Sequence, residues 1–519
     1  MDVTSARVRD GLSSVTRGTL YLLVATLVFV GLSFVSRVVT VRSISPADWS
    51  AFSWSLTLAG LLSAFGTLGL PSAIARGIPY SKTDAERRTM IRGTLAVGAI
   101  AGAAVTAALA AIGPTIGARL GDPLIGSALQ FFGVAVGATI VANLIASVFQ
   151  GYEDVTPNAL FLQILNPLLF VVFLGSALVA GRGIAYWEAL LAYTAATVAT
   201  LAVSAVYALR RLPRYLPPGP GHPGAFGRLL LFAAPLFVAG ILGSLTGSGD
   251  TIILGIYSPL AVGDYTVSLT LARLLQVGIA AASYIFLPVT TRFFRGGDTR
   301  SVQVTYTTVT KWMLLFSLPL FLVFFFLPSE SLSFVYAGRY GQIVAPLQVL
   351  VLGAFASTLL GPGSACQVAF GQTRLVMYNS LAAAAVDVGL SFALVPAYGS
   401  VGAATAWAAA SVVSAGLAVV ELAVLNGVHP FHGHALLPVL ALGVPVGAIL
   451  GLLHPRLPLL ALPALVLLLA GGFILSVLGT RSVDHGDELF LSAVEGILGR
   501  PVPFVRRLGR LGRRGPGRR

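Results

Sequence analysis

The chain has 519 residues, of which 56% are hydrophobic and 10% charged, with 33 Lys and Arg against 19 Asp and Glu. So little charge cannot cover a soluble fold of this size with a water-facing surface. Apolar runs of about 20 residues recur along the whole length, which indicates a polytopic helical membrane protein. The net charge of +14 raises nucleic acid as a partner, but the bases lie in alternate loops and in the tail, as the positive-inside rule requires, and nucleic acid is set aside.

The first apolar stretch, 18–41, is too long for a signal-peptide core and lacks a small-residue cleavage site, so it is expected to remain as a span. Fourteen spans are expected: 18–42, 51–75, 93–117, 124–150, 159–181, 187–209, 229–255, 264–288, 310–334, 343–369, 376–397, 400–425, 436–454 and 458–479. An even number places both termini on one side. With the N-terminus cytoplasmic, 26 Lys and Arg fall inside and six outside, with Arg273 within a span. That asymmetry sets the orientation. One inside loop departs from it, since Gly151 to Asn158 carries Glu153 and Asp154 and no base. The single cysteine, Cys366, excludes an intramolecular disulfide.

One segment occurs twice. Ser45-Pro46 is followed nine residues later by Ser55-Leu56-Thr57-Leu58-Ala59, and Ser258-Pro259 at the same distance by Ser268-Leu269-Thr270-Leu271-Ala272. Seven of fifteen positions agree without a gap at an offset of 213, which also sets Arg37 opposite Asp250. At an offset of 214, Ala192-Tyr193 faces Ala406-Trp407; at 221, Asn158 faces Asn379 and Asn166 faces Asp387. The expected fold class is therefore all-α, with two parallel six-helix repeats related by an axis along the membrane normal and two further helices. The boundaries are 1–211 and 229–425 for the two bundles, 436–479 for the extra helices and 480–519 for a basic cytoplasmic tail. Between the bundles, 212–228 holds five prolines, too many to continue a helix, and reads as a semi-rigid cytoplasmic linker.

Gly371-Gln372-Thr373 leads into a span ending Leu394-Val395-Pro396-Ala397-Tyr398-Gly399-Ser400-Val401-Gly402-Ala403-Ala404-Thr405-Ala406. This stretch resembles the "LIPxYGxxGAAxAT" pattern of polysaccharide flippases in the multidrug/oligosaccharidyl-lipid/polysaccharide exporter superfamily. Asp250-Thr251-Ile252-Ile253-Leu254-Gly255-Ile256-Tyr257 is similar to that family's "DxxxLGxY" stretch. The resemblance implies two bundles around a V-shaped cavity that opens alternately to each side. It implies a cavity lined by spans one, two, seven and eight, and a lipid-linked oligosaccharide moved from the inner to the outer leaflet. The acidic Glu153–Asp154 loop departs from the family's usual basic pattern.

A charge at mid-bilayer costs about 2.5–3.5 kcal/mol, so such residues face a cavity or a partner. Arg273 lies deep in its span, with Thr266, Thr270 and Gln276 near its face at helical spacing. It either binds an anion in the cavity or pairs with a carboxylate or carbonyl. Arg37, with Thr26, Ser33 and Thr40 on its face, either faces the cavity or snorkels. Arg76 closes span two, as a positive-inside anchor or as a group that meets an incoming phosphate. Asp250 follows Gly243-x-x-x-Gly247, a close-packing pattern, and either pairs with Arg273 or Arg37, couples an ion, or simply ends the helix. Asp387 is a deep carboxylate, either a proton carrier or a satisfied polar contact; Glu421 is expected near the cytoplasmic interface. His429, His432 and His434 supply no carboxylate or thiol beside them and read as a solvated loop, so no metal or other cofactor is expected.

The leading functional expectation is a non-enzymatic flippase for a polyprenyl- or dolichyl-(di)phosphate-linked glycan in a prokaryotic plasma membrane. The expected partners are that glycan, membrane lipid, Na+ or H+, and a glycan polymerase or glycosyltransferase. No P-loop pattern is present, and outward movement of an anion can draw on membrane potential. A cation-coupled multidrug exporter is the alternative, and a membrane glycan polymerase or ligase a third, for which the short outer loops offer no catalytic constellation. Orientation is testable with single cysteines in a Cys366→Ala background. Cysteines at Ser81 and His222 should react with an impermeant maleimide only from the cytoplasmic side, and one at Gly338 only from outside; the opposite pattern would invert the topology.

Overall fold

The computed structural model describes residues 25–179, 184–215, 219–279, 286, 290–291, 293–294, 297–431, 436–453, 458, 460–480 and 482. Among these residues there is no strand, and eleven helices are long and apolar enough to cross a membrane. This is the all-helical, multi-pass architecture expected. The basic tail from 483, His432, His434 and linker residues 216–218 lie outside the described residues.

The first helix, α1, runs Ala25–Ser43. Next come α2 (Pro46–Thr67), α3 (Leu70–Tyr80), α4 (Asp84–Leu120) and α5 (Pro123–Gly151). A π-helical stretch, Pro157–Leu165, passes into α6 (Asn166–Val179), followed by α7 (Tyr186–Tyr215), α8 (Ala225–Tyr257) and α9 (Ala261–Leu274). Then follow α10 (Thr299–Phe326), α11 (Pro328–Tyr336), α12 (Val344–Leu359), α13 (Gly363–Ala369), α14 (Thr373–Asn426), α15 (Leu437–Leu453) and α16 (Ala461–Gly479). The 54-residue α14 is two helices joined at Gly399, whose φ of 53° and ψ of −126° are open to glycine and break the helix. It covers the two spans expected at 376–397 and 400–425.

Other spans differ from expectation in where they begin and bend. The span expected at 51–75 is α2 plus α3, bent where Leu68 and Gly69 both adopt left-handed backbone (φ 52° and 68°). The span expected at 310–334 begins at Thr299, because Asp298 caps the helix by accepting the Ser301 N–H at 3.0 Å. Hydropathy marks where a helix becomes apolar, whereas the cap marks where it starts. The acidic exception on the basic side also has a local cause: Asp154 accepts the Tyr207 hydroxyl at 2.6 Å and the Thr156 N–H at 3.1 Å.

The described residues up to Thr266, with Ser391–Ala403, form one compact unit; Val267–Leu390 and the described residues from Ala404 onward form the other. In the first unit α5 is the buried centre, and Phe52, Phe132, Phe170 and Tyr193 make edge-on contacts at 5.0 to 6.3 Å. Helices α4 and α5 pack backbone to backbone. A Cβ on Gly102 would meet the Gly137 carbonyl at 2.8 Å, and one on Gly117 the Gly126 nitrogen at 2.8 Å. Thr106 sits in the same seam and donates to Gly133 O at 2.8 Å. Gly243, by contrast, has nothing within 4 Å of an added Cβ, so the small-residue seam lies on α4 and not at the Gly243 pattern. In the second unit Phe286, Val302, Tyr306, Met313, Cys366 and Leu422 share a core.

The duplicated segment has a structural meaning in the first unit. Ser45 is the N-cap of α2 in a reciprocal bond with Asp48, and Pro46 opens the helix. The first parts of the two copies touch at equivalent positions. Gly263 N donates to Ser50 Oγ at 3.0 Å, and Thr266 Oγ1 to Ser53 Oγ at 3.3 Å, each pair 213 residues apart. Gly263 permits that approach, because a Cβ would lie 2.4 Å from Ser50 Oγ and one of the two would have to shift.

Bulk added to the α4–α5 seam should separate the helices. Gly102→Leu is expected to cost about 1–3 kcal/mol and to lower the thermal midpoint in detergent. Gly121→Ala, which has open space around it and bears only the left-handed φ penalty, should cost less; equal effects would refute the close-packed seam.

Candidate functional site

A cavity of about 540 Å³ opens in the first unit between α3, the start of α4 and the start of α8. Its lining brings together Arg76, Lys82, Glu86 and Arg228, with Tyr80 and Phe232. The bend at Leu68–Gly69 aims α3 at α8. There the backbone of α8 lies so close that a Cβ on Gly69 would meet Ala233 O at 2.5 Å and Phe237 N at 2.6 Å. Phe65 and Phe237 pack edge-on at 6.1 Å beside this contact. Thr83 caps α4 by accepting the Glu86 N–H at 3.3 Å, so Glu86 stands in the first turn of a helix that begins at the cavity wall.

The Arg76 guanidinium lies 4.5 Å from the Phe232 ring centroid and 5.0 Å from that of Tyr80. These rings offer cation–π attraction to its faces while its N–H edge remains available. Among the described residues the ion pairs shown are Arg87–Asp84 and Arg228–Glu86, so Arg76 has no carboxylate partner there. Arg228 donates to Glu86 Oε1 at 2.7 Å, and the Lys82 backbone N–H donates to Glu86 Oε2 at 3.1 Å. Three cations and one carboxylate thus line one concave surface.

The linker is strapped beside this cavity. Buried Arg88 donates to Pro220 O at 2.7 Å, and His222 N donates to Thr89 Oγ1 at 2.8 Å. A Cβ on Gly219 would strike the Arg88 guanidinium at 2.6 Å, so the Pro/Gly composition here permits close approach as well as stiffness.

Asp250 is wholly buried at the end of α8. It accepts the Tyr265 hydroxyl and the Thr251 hydroxyl, the latter at 3.1 Å. Nearby, Trp54 Nε1 donates to Ile252 O at 3.2 Å and Trp49 Nε1 to Thr266 Oγ1 at 3.1 Å. Arg37 is half-buried on α1 within electrostatic reach of Tyr193. In the second unit Arg273 is exposed, while Thr270 is buried and Gln276 donates to Ser357 Oγ at 3.2 Å. Asp387 is fully buried on α14.

Sequence reasoning does not single out Lys82, Glu86, Arg228 or Lys311, and places Glu421 only near an interface. Lys82, Glu86 and Arg228 join the cavity, and no sequence period links them because they come from three separate elements. Lys311 is 2% exposed in the middle of α10 and donates to Ser482 O at 2.6 Å; the late expected start of that span had left it at an edge. Glu421 accepts from Gln367 at 2.5 Å and Asn379 at 2.8 Å, a carboxylate served by buried amides. The His429 loop is bracketed by Gln303, which donates to His429 O at 2.6 Å and accepts its N–H at 2.9 Å. No cluster of three His, Cys, Asp or Glu able to hold a metal occurs among the described residues.

Residues 15–294, just over half of the chain, match a family described as polysaccharide biosynthesis protein. The fold is similar to that of "Lipid II flippase MurJ, inward closed conformation", with a TM-score of 0.72 at 12% identity over 88% of this chain and 98% of that one. It is also similar to an inward-facing multidrug resistance MATE family transporter of the MOP superfamily, with a TM-score of 0.60 at 14% identity over 78% and 96%. A MOP superfamily transporter from Pyrococcus furiosus with a binding pocket of reversed polarity gives a TM-score of 0.51 at 14% identity over 78% and 94%. A comparison with curated protein sequences finds no match. The chain belongs to the polysaccharide biosynthesis protein family and has the fold of MOP superfamily transporters.

Proposed function

We propose that the protein is a flippase that moves a polyprenyl- or dolichyl-(di)phosphate-linked oligosaccharide from the inner to the outer leaflet by alternating access. The observation that carries this reading is Arg76, whose guanidinium sits against Phe232 and Tyr80 in a cavity shared with Lys82 and Arg228. A guanidinium beside aromatic rings keeps its paired N–H donors, which match two oxygens of one phosphate. Family membership and the similarity to a lipid II flippase support the same substrate class. In the orientation set by the basic loops, this cavity faces the cytoplasm, the leaflet in which a lipid-linked glycan is assembled. Both termini lie on that side, in the plasma membrane of a prokaryote.

Passage across the bilayer falls to the deeper arginines, Arg37 and Arg273, in the bundles 1–211 and 229–425. The contacts between equivalent residues Ser50 and Gly263 support a duplicated framework for two moving halves. Each negative charge carried outward gains about 2.3 kcal/mol per 100 mV of inside-negative potential, so ATP need not be hydrolysed. A glycosyltransferase or polymerase would supply or take up the glycan.

The buried carboxylate Asp250 favours a second reading, cation-coupled export of a drug-like organic cation, with Asp250 or Asp387 exchanging Na+ or H+. Cations require carboxylates and open ring faces, and the faces of Tyr80 and Phe232 are already engaged by Arg76.

Purified protein in liposomes should move a labelled (di)phosphate-linked glycan between leaflets, faster with an inside-negative potential. Arg76→Ala and Arg273→Ala should each slow it about tenfold or more, the weight of a charge-assisted hydrogen bond. Absence of movement at any potential, with potential-independent uptake of an organic cation instead, would replace this reading by the second.

A further inference from the structure

We propose that the cavity between α3, α4 and α8 is a phosphate-binding site in which Glu86 is a built-in competitor that occupies Arg228 until a phosphate group displaces it. The inference rests on the flippase reading and adds to it the residue that sets affinity at the cytoplasmic mouth.

The argument begins with charge. Arg76, Lys82 and Arg228 bring three positive charges to the cavity and Glu86 one negative. Arg76 lies over the Phe232 and Tyr80 rings and has no carboxylate partner among the described residues. Arg228 is different, since its Nη2 already donates to Glu86 Oε1 at 2.7 Å. A carboxylate has two oxygens, and Glu86 spends the second on the Lys82 N–H. A phosphate carries more oxygens and more charge, so it can engage Arg228 and still offer oxygens to the edge of Arg76.

Exposure identifies the part that moves. The Arg228 side chain is 63% exposed and that of Glu86 only 18%. Glu86 is fixed at the start of α4, where the Lys82 N–H and the positive end of the helix both stabilise its charge. When Arg228 swings to a phosphate, Glu86 is not left as an uncompensated buried charge. The exchange replaces one ion pair by another, so binding is reversible, which a carrier that must release its cargo requires. Glu86 also excludes weakly charged ligands, which cannot compete for Arg228.

Two lipid sources share this chemistry: the (di)phosphate of a glycan carrier and the headgroup of a bulk anionic phospholipid. The test uses full-length protein in phosphatidylcholine nanodiscs titrated with inorganic pyrophosphate. Glu86→Gln keeps an oxygen for the Lys82 N–H and removes the charge. It should tighten pyrophosphate binding about two- to fivefold, the range of an exposed ion pair, and slow release of a labelled glycan lipid. Arg228→Ala and Arg76→Ala should each weaken binding about tenfold or more. Glu86→Ala, which also loses the bond from the Lys82 N–H, should tighten binding as well but with a lower thermal midpoint.

Unchanged affinity in Glu86→Gln with a wild-type thermal midpoint would overturn the competitor role, as would wild-type protein that binds no pyrophosphate. If liposomes still flip the glycan lipid in that case, the flippase reading stands and this site alone fails. If Glu86→Gln tightens binding but no lipid is flipped, the site stands and the flippase reading fails. Replacing part of the phosphatidylcholine by phosphatidylglycerol separates the sources. Competition with pyrophosphate supports a site open to bulk headgroups; its absence supports one selective for the carrier's phosphate.

Discussion

The arrangement around the cavity depends on one contact between two backbones, where α8 lies against Gly69. A chain that crosses the bilayer must keep its backbone hydrogen bonds within helices, so it can bend only where a local conformation permits. Leu68 and Gly69 supply that bend with left-handed backbone, and the missing Cβ of Gly69 lets α8 close over it. The bend turns α3 so that Arg76 faces Phe232 and the first turn of α8 faces the first turn of α4. Without it, three cations from three elements would have no shared surface.

The same economy governs the other charges. Asp250 is buried with hydroxyl donors, Lys311 with a backbone carbonyl and Glu421 with side-chain amides. Each keeps a charged or titratable group inside apolar surroundings by giving it short polar contacts, as burial demands. Arg76 differs in kind, because aromatic faces stabilise its charge without consuming its hydrogen-bond donors. Its donors are therefore not used up by a carboxylate among the described residues.

The linker shows how composition and packing join. The expected linker is helical at both ends, since α7 continues through Pro213 to Tyr215 and α8 opens at Ala225, and the part between is positioned by Arg88 and Thr89 gripping Pro220 and His222. The strap runs beside the cavity, so the segment that joins the repeats in sequence is held against the helix whose first turn carries Glu86.

By itself the sequence determined the all-helical membrane class, most of the spans and the duplication. These are written in runs of apolar residues and in an ungapped repeat, both local along the chain. The boundary between the spans expected at 376–397 and 400–425, where Gly399 breaks the helix, was legible for the same reason. Arg76 was legible as a charged residue at the end of a span, but its neighbours were not. Lys82, Glu86 and Arg228 carried no signal that singled them out, and close backbone contact occurs along Gly102 and Gly117 but not at Gly243. Only the tertiary structure decided which charges share a cavity and which glycines touch a neighbouring backbone. Those choices depend on the bend at Gly69 and on how helices distant in sequence meet, and no period within one helix encodes that meeting.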